Sequence, residues 1–200
     1  MLVTKDAHEA AAALAGTPGA VIAYPTETYY GLGSRIADGA GIGRIVAIKG
    51  REASKGMIVL VSSMEEALAL AVIDARQQGL LGLFWPGPLS ALLEARPGMH
   101  PLLAPGGRVA LRISPHPLAL ALVREAGPVT STSANPSGLP PATGAAEVVS
   151  FGLALDAVLD GGKTPGGKPS TLVDLTVWPP KCLREGVVPA RTVMEKAAGL

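Results

Sequence analysis

The stretch Ala20-Val21-Ile22-Ala23-Tyr24-Pro25-Thr26-Glu27-Thr28-Tyr29-Tyr30-Gly31-Leu32 decides the fold class. Its first five residues carry no charge and form a short apolar run, which reads as a buried strand. Pro25 then holds the exit extended and opens a polar loop at the strand's carboxyl end. Open α/β sheets bind their ligands in loops of this kind. A period of two in extended chain sends Thr26 and Thr28 the same way. An ordinary polar turn has the same composition, so the weight of this loop rests on what surrounds it.

On either side, strand-like and helix-like segments interleave. Lys5 to Leu14 reads as a helix that stops before Gly16, Pro18 and Gly19. Ile42, Ile45, Val46 and Ile48 recur at helical spacing between Ala40 and Ile48, with Gly50 set to end that helix. Met57 to Val61 is a strand, followed by helices over Met64 to Leu70 and Asp74 to Phe84, and Trp85-Pro86-Gly87-Pro88 stops the second. Strands over Leu89 to Leu93, Val109 to Ile113 and Val129 to Ser133 flank a helix from Pro117 to Glu125. The last third predicts a helix over Ala145 to Phe151, strands at Ala157 to Leu159, Ser170 to Leu175 and Lys181 to Leu183, and a final helix from Arg191. The interleaving favours a layered α/β sheet with some parallel pairing, and the absence of repeats and linkers favours one domain over residues 1–200.

Composition narrows the function classes. The chain has 200 residues, 48% of them hydrophobic, with 25 glycines and 18 prolines, so it is globular and rich in loops and neither disordered nor a helix bundle. A formal charge of +1 excludes a globally basic nucleic-acid binder but not a local basic patch. The one cysteine, Cys182, has no partner for an internal disulfide. No apolar run is long enough to span a membrane and the N-terminus lacks a leader pattern, so the expectation is a cytoplasmic protein.

Four further clusters hold polar groups. Lys49-Gly50-Arg51 with Lys55 brings three positive charges within seven residues, a set suited to a polyphosphate once Gly50 ends the helix and lets Lys49 and Arg51 share a face. A solvated basic turn at a helix C-terminus has the same residues. In Arg108-Val109-Ala110-Leu111-Arg112-Ile113, strand alternation puts Arg108, Ala110 and Arg112 opposite the apolar face. Ser131, Ser133 and Asn135 alternate along a strand end, offering groups for phosphate, ribose or base edges. Gly161 to Thr171 is a basic glycine loop, but Pro169 occupies the Ser/Thr position of a P-loop and a β-prone run follows, so that motif is rejected and a lid remains. His8, His100 and His116 are scattered and predict no metal site, and no Gly-x-Ser-x-Gly elbow occurs. Without a general base in these clusters, positioning and charge stabilisation are the expected catalysis, as in phosphoryl and nucleotidyl transfer.

Taken together, Pro25-Thr26-Glu27-Thr28 with Tyr30-Gly31-Leu32, Lys49-x-Arg51, Trp85-Pro86-Gly87-Pro88, Val109-Ala110-Leu111-Arg112 with His116-Pro117, and Ser133-x-Asn135 resemble the YrdC-like family. The resemblance continues through Asp160-Gly161-Gly162, Pro169-Ser170-Thr171-Leu172-Val173-Asp174 and Leu183-Arg184-Glu185-Gly186, covering about residues 20–188 and leaving residues 189–200 as a tail helix. It implies a twisted, mixed parallel and antiparallel sheet with flanking helices around a wide basic cavity. It further implies that L-threonine, bicarbonate and ATP are joined into threonylcarbamoyl-adenylate with release of diphosphate, for modification of adenosine 37 in tRNA. Carried over by position, Lys49 and Arg51 are the catalytic pair. They hold ATP with Lys55, Arg108, Ser133, Asn135 and Arg184, while Thr28, Arg112, Ser131 and Ser170 bind threonine and Arg112 pairs its carboxylate. Magnesium is expected to arrive with the triphosphate, without direct protein ligands. Lys55 resembles the short form of the family, and Leu60 stands where long members carry a histidine. The implied picture is a stand-alone catalytic domain that passes its product to separate threonylcarbamoyl transferase proteins. An RNA-binding module, holding tRNA or double-stranded RNA on Arg51, Arg108 and Arg112, is the alternative of a different class, and a paralogue making another carbamoyl-adenylate is a third.

Overall fold

The computed structural model describes residues 1–50 and 56–200. In chain order the elements are β1 (Leu2–Thr4), α1 (Ala7–Gly16), β2 (Ile22–Tyr24), β3 (Gly31–Gly33), α2 (Gly39–Lys49), β4 (Ile58–Leu60), α3 (Met64–Leu70), β5 (Ala71–Val72), α4 (Ala75–Gly82), β6 (Leu89–Ala95), β7 (Arg108–Arg112), α5 (Pro117–Ala126), β8 (Val129–Ser133), α6 (Ala145–Ser150), β9 (Ala157–Leu159), β10 (Thr171–Asp174), β11 (Lys181–Arg184) and α7 (Ala190–Ala198). Helix starts follow the local chemistry. Asp6, Asp38 and Ser63 side chains accept from exposed first-turn N–H groups of α1, α2 and α3, Asp74 and Gln77 form a capping box on α4, and Pro117 opens α5.

The described strands form one sheet in the order β1-β9-β2-β3-β8-β4-β7-β6-β10-β11, with β5 paired to β6. Pairing is parallel at β1·β9, β2·β9, β4·β7 and β6·β10, and antiparallel at β2·β3, β3·β8, β4·β8, β5·β6, β6·β7 and β10·β11. The sheet is therefore mixed. Strand alternation feeds two cores: Ile22 and Tyr24 of β2, Leu60 of β4, and Ala157 and Leu159 of β9 pack with α1 and α5. Val21, Ala23, Val59 and Val158 turn to the other face, against α2, α3, α4, α6 and α7. Strands clothed on both faces explain why their sequences read as continuous apolar runs.

Three elements differ from the sequence expectation: β1 and β5 are short strands where none was expected, and β3 replaces part of a loop. Gly31 and Leu32 belong to the polar loop on sequence grounds, because glycine is a poor strand former. In the structure Gly31–Gly33 is β3, held by β2 on one side and β8 on the other. The glycines are required by closeness: a Cβ on Gly33 would lie 2.5 Å from Tyr24 Cε1 and 3.0 Å from the Thr130 carbonyl oxygen. Gly50 behaves as expected, ending α2 in the left-handed region at φ 53° with its N–H bonded to the Ala47 carbonyl.

Candidate active site

The loop after β2 and strands β3, β4, β7, β8, β10 and β11 converge on a cavity of about 500 Å³. Thr26, Thr28, Ala110, Arg112, Ser131, Ser133, Ser170 and Arg184 are among the residues that border it. The opening stretch supplies its first wall. The Thr26 hydroxyl donates to the Tyr29 carbonyl at 2.7 Å and accepts from the N–H groups of Thr28 and Tyr29 at 3.2 and 3.3 Å. This side-chain turn brings the Thr26 and Thr28 hydroxyls within 3.1 Å of each other. The two threonines do share a direction, but a threonine-centred turn produces it, where a continued strand was expected. Tyr30 ties this wall to the glycine loop, donating to Gly162 O at 2.7 Å and accepting from Gly161 N at 3.1 Å. Gly166 N donates to Thr28 O at 2.8 Å beside it.

The cationic pole is Arg112. It ends β7, is almost fully buried, and lies 2.5 Å from Glu27 through Nη2 and Oε1. That contact is an ion pair and not an aligned hydrogen bond: among the described residues, Arg112 Nε and Nη2 and Glu27 Oε1 have no hydrogen-bond partner. Glu27 Oε2 accepts from the Ser114 hydroxyl at 2.5 Å. Across the cavity, Arg184 donates to the Ser170 carbonyl from Nη2 at 2.9 Å and to the Ser170 hydroxyl at 3.2 Å, while Ser170 and Ser90 hydroxyls share a buried bond of 2.9 Å. Burial, and then the charge of Arg112, lowers the pKa of Arg184. Burial likewise raises the pKa of Tyr24, a phenol beneath Ser131 that donates to the Thr130 carbonyl.

The third wall is β8. Ser131 and Ser133 border the cavity, and so does Thr132 between them, which strict alternation does not account for. Asn135 lies just beyond the strand and turns its amide to Lys49, whose Nζ is 2.6 Å from Asn135 Oδ1, 2.8 Å from the carbonyls of Ser133 and Asn135, and 3.3 Å from Ser133 Oγ. The Ser133 hydroxyl also donates to Asn135 Oδ1 at 2.6 Å. Lys49 and Asn135 thus back the wall whose open face is Ser133.

Thr28, Arg112, Ser131, Ser133, Ser170 and Arg184 come together around one space, with Lys49 and Asn135 behind it. Arg51 and Lys55 lie outside the described residues. Arg108 does not border the cavity: it starts β7, is half exposed, and stands 3.6 Å from Asp174. Although Arg108 and Arg112 share a strand face, four residues of extended chain separate them by roughly 13 Å. Sequence reasoning did not single out Glu27, Ser90 or Ser114. Glu27 stood in the quoted stretch as a lone carboxylate among cation-rich clusters, which was the available signal. No three His, Cys, Asp or Glu side chains group to hold a metal among the described residues, and the cavity border carries hydroxyls and cations. Such walls do not fit a directly bound magnesium ion, which needs oxygen anions from elsewhere.

Residues 16–186 match the Sua5/YciO/YrdC family model, described as "Telomere recombination". The chain belongs to the Sua5/YciO/YrdC family. Relatives in that family include a threonylcarbamoyl-AMP synthase of Pyrococcus abyssi, 39% identical over 186 residues, covering 90% of this chain and 54% of that protein. One of Chromohalobacter salexigens is 40% identical over 161 residues, covering 78% of this chain and 86% of that protein. The chain therefore spans about half of the first relative and most of the second. Among solved Sua5/YciO/YrdC structures, Pyrococcus abyssi Sua5 complexed with L-threonine superposes with a TM-score of 0.89 at 33% identity, over 98% of this chain and 60% of that one. Escherichia coli YciO superposes at 0.82 with 25% identity, over 93% of this chain and 94% of that one. The twisted mixed sheet with flanking helices is the fold of this family.

Proposed function

We propose that this protein is a threonylcarbamoyl-AMP synthase, a nucleotidyltransferase that joins L-threonine, bicarbonate and ATP. The observation that carries the reading is one cavity bordered by the buried Arg112, by Arg184 and by a set of hydroxyls. Arg112 stands with the hydroxyls of Thr28, Ser131 and Ser170 around the cavity, a set matched to an amino acid bearing a carboxylate and a hydroxyl. Ser133, backed by Lys49 and Asn135, together with Arg184, suits the phosphates and sugar of a nucleotide. In this reading Arg51 and Lys55 complete the phosphate side, and magnesium is held by the triphosphate oxygens. Arg108, paired with Asp174 away from the cavity, has the weakest claim on ATP.

The reaction asks little general-base chemistry of the protein. The threonine amine condenses with bicarbonate to a carbamate, releasing water. A carbamate oxygen then attacks the α-phosphorus of ATP and diphosphate leaves. Arg112 fixes the carboxylate, the hydroxyl walls orient the amine end, and the lysine and arginine side chains offset charge moving onto the leaving diphosphate. The adenylate would then pass to separate transferase proteins acting on tRNA. Mass-spectrometric detection of threonylcarbamoyl-adenylate after incubation with ATP, threonine and bicarbonate is the test. Tight, salt-sensitive RNA binding with no threonine-dependent diphosphate release would favour the RNA-binding module instead.

A further inference from the structure

Glu27 has a burial and a set of contacts that the amino-acid and nucleotide sites leave unexplained. It does not border the cavity, its side chain is 16% exposed, and its two oxygens are divided between two partners. Oε1 faces Arg112 Nη2 at 2.5 Å and Oε2 accepts from the Ser114 hydroxyl at 2.5 Å. Ser114 in turn accepts from the N–H of His116 at 3.2 Å, which anchors the arrangement to the start of α5. The Ser114 bond orients the carboxylate at Oε2, and the ion pair at Oε1 restrains the guanidinium it faces.

We infer that Glu27 is a positioning residue for substrate recognition: it fixes the direction of the Arg112 guanidinium so that a substrate carboxylate meets a preset fork. The inference rests on the threonylcarbamoyl-AMP synthase reading for the identity of that substrate. Three observations carry it. Arg112 is buried, so a substitute for Glu27 as counter-ion must come from the protein or the substrate, because burying an unpaired charge is costly. Glu27 faces Arg112 at 2.5 Å from outside the cavity, while Arg112 itself borders the cavity, so the counter-ion restrains the guanidinium without occupying the space a ligand would take. Arg184 already feels the charge of Arg112 across the cavity, so without Glu27 the two cations would be less restrained and less ordered. Glu27 lies on the loop that also presents Thr28, so the turn that presents a hydroxyl to the cavity also carries the residue that aims the arginine.

The test is steady-state kinetics of diphosphate release by the full chain and by E27Q, which keeps shape and removes charge. The expected result is a threonine KM raised about 10-fold or more, with kcat within about threefold and the ATP KM within about twofold, and with E27D recovering part of the loss. A threonine KM within about twofold of wild type overturns the inference, and so does a proportional rise in the ATP KM, which would mark Glu27 as merely structural. If E27Q does not fold, Ser114→Ala, which frees one Glu27 oxygen, is read the same way, with a threonine KM raised about threefold expected and an unchanged one overturning. Wild-type protein that forms no threonylcarbamoyl-adenylate would fail the functional reading itself, whereas an active wild type with an indifferent E27Q would fail only this inference.

Discussion

Lys49, the last residue of α2, sits 2.6 Å from the side-chain oxygen of Asn135, so the end of a helix is bound to the loop that leaves β8. The lysine is buried, and its ammonium is ringed by the Ser133 and Asn135 carbonyls, the Asn135 amide and the Ser133 hydroxyl. An ammonium has three protons to give, fewer than the oxygens around it, so an arriving phosphate competes for donors already in place. Lys49→Ala is expected to lower diphosphate release by more than about 100-fold, since charge stabilisation at a leaving group is lost. It should also cost about 1–3 kcal/mol of stability by leaving the acceptors unserved, read as a lowered Tm. Unchanged turnover in purified Lys49→Ala would remove this residue from the site.

Arg112 makes a second prediction through its geometry. Its partner Glu27 expects a cation, and a ligand carboxylate expects a planar fork. Arg112→Lys keeps the charge and loses the fork, so the threonine KM should rise about 10-fold while the protein stays folded. Arg112→Ala strands Glu27 and should raise the threonine KM further, with a loss of about 3 kcal/mol in denaturant unfolding.

Ser90 never touches the cavity, yet its hydroxyl meets that of Ser170 at 2.9 Å in the β6·β10 pairing. Ser90→Ala leaves Ser170 held by Arg184 alone. A threonine KM raised about fivefold is expected, the value of one hydrogen bond of about 1 kcal/mol, with the ATP KM nearly unchanged. Equal effects on both substrates would show that Ser90 supports the sheet in general.

The sequence made the layered α/β order readable because helices here start at proper caps and strands are buried on both faces. Lys49, Ser133 and Asn135 were legible as separate clusters, each with a residue spacing suited to a ligand. Their union was not, since α2 meets β8 only through tertiary pairing across more than 80 residues. β3 escaped notice because Gly31 and Gly33 are there for close approach to Tyr24 and β8, a need that no local propensity expresses. Glu27 escaped as a partner for the same reason: its arginine is 85 positions away. Arg108 was linked to Arg112 by strand alternation, which reports the face of a strand and not the distance along it.

Gly186 offers a steric prediction at the far wall. A Cβ there would stand 2.1 Å from the Pro169 carbonyl oxygen and 2.7 Å from Thr171 N, both backbone atoms of the segment that carries Ser170. Gly186 N also donates to the Thr171 hydroxyl at 2.9 Å. Gly186→Ala must push the turn after β11 away from this segment, which carries Arg184 off with it. Stability should fall by about 1–3 kcal/mol, as for overpacked cores, with diphosphate release falling more than the Tm alone explains. Parallel thermal melts and activity at 25 °C, well below the melting range, separate the two effects.

His116 gives the pH dependence. Burial lowers its pKa from 6.5, opposed by the negative charge of Glu27, and its Nδ1 is buried without a hydrogen-bond partner among the described residues. A histidine with a depressed folded pKa is neutral in both states well above its unfolded pKa of 6.5, where its contribution to stability is fully present. As pH falls below that value the unfolded chain takes up the proton first, and stability is lost until the folded pKa is passed. The Tm of the wild type relative to His116→Gln should therefore be constant above pH 7 and decline toward pH 5, by about a few degrees. A flat difference between the two proteins across that range would show that protonating His116 costs the fold nothing. A wild type that gained on the variant in acid would reverse the sign and mean that Glu27 outweighs burial at this ring.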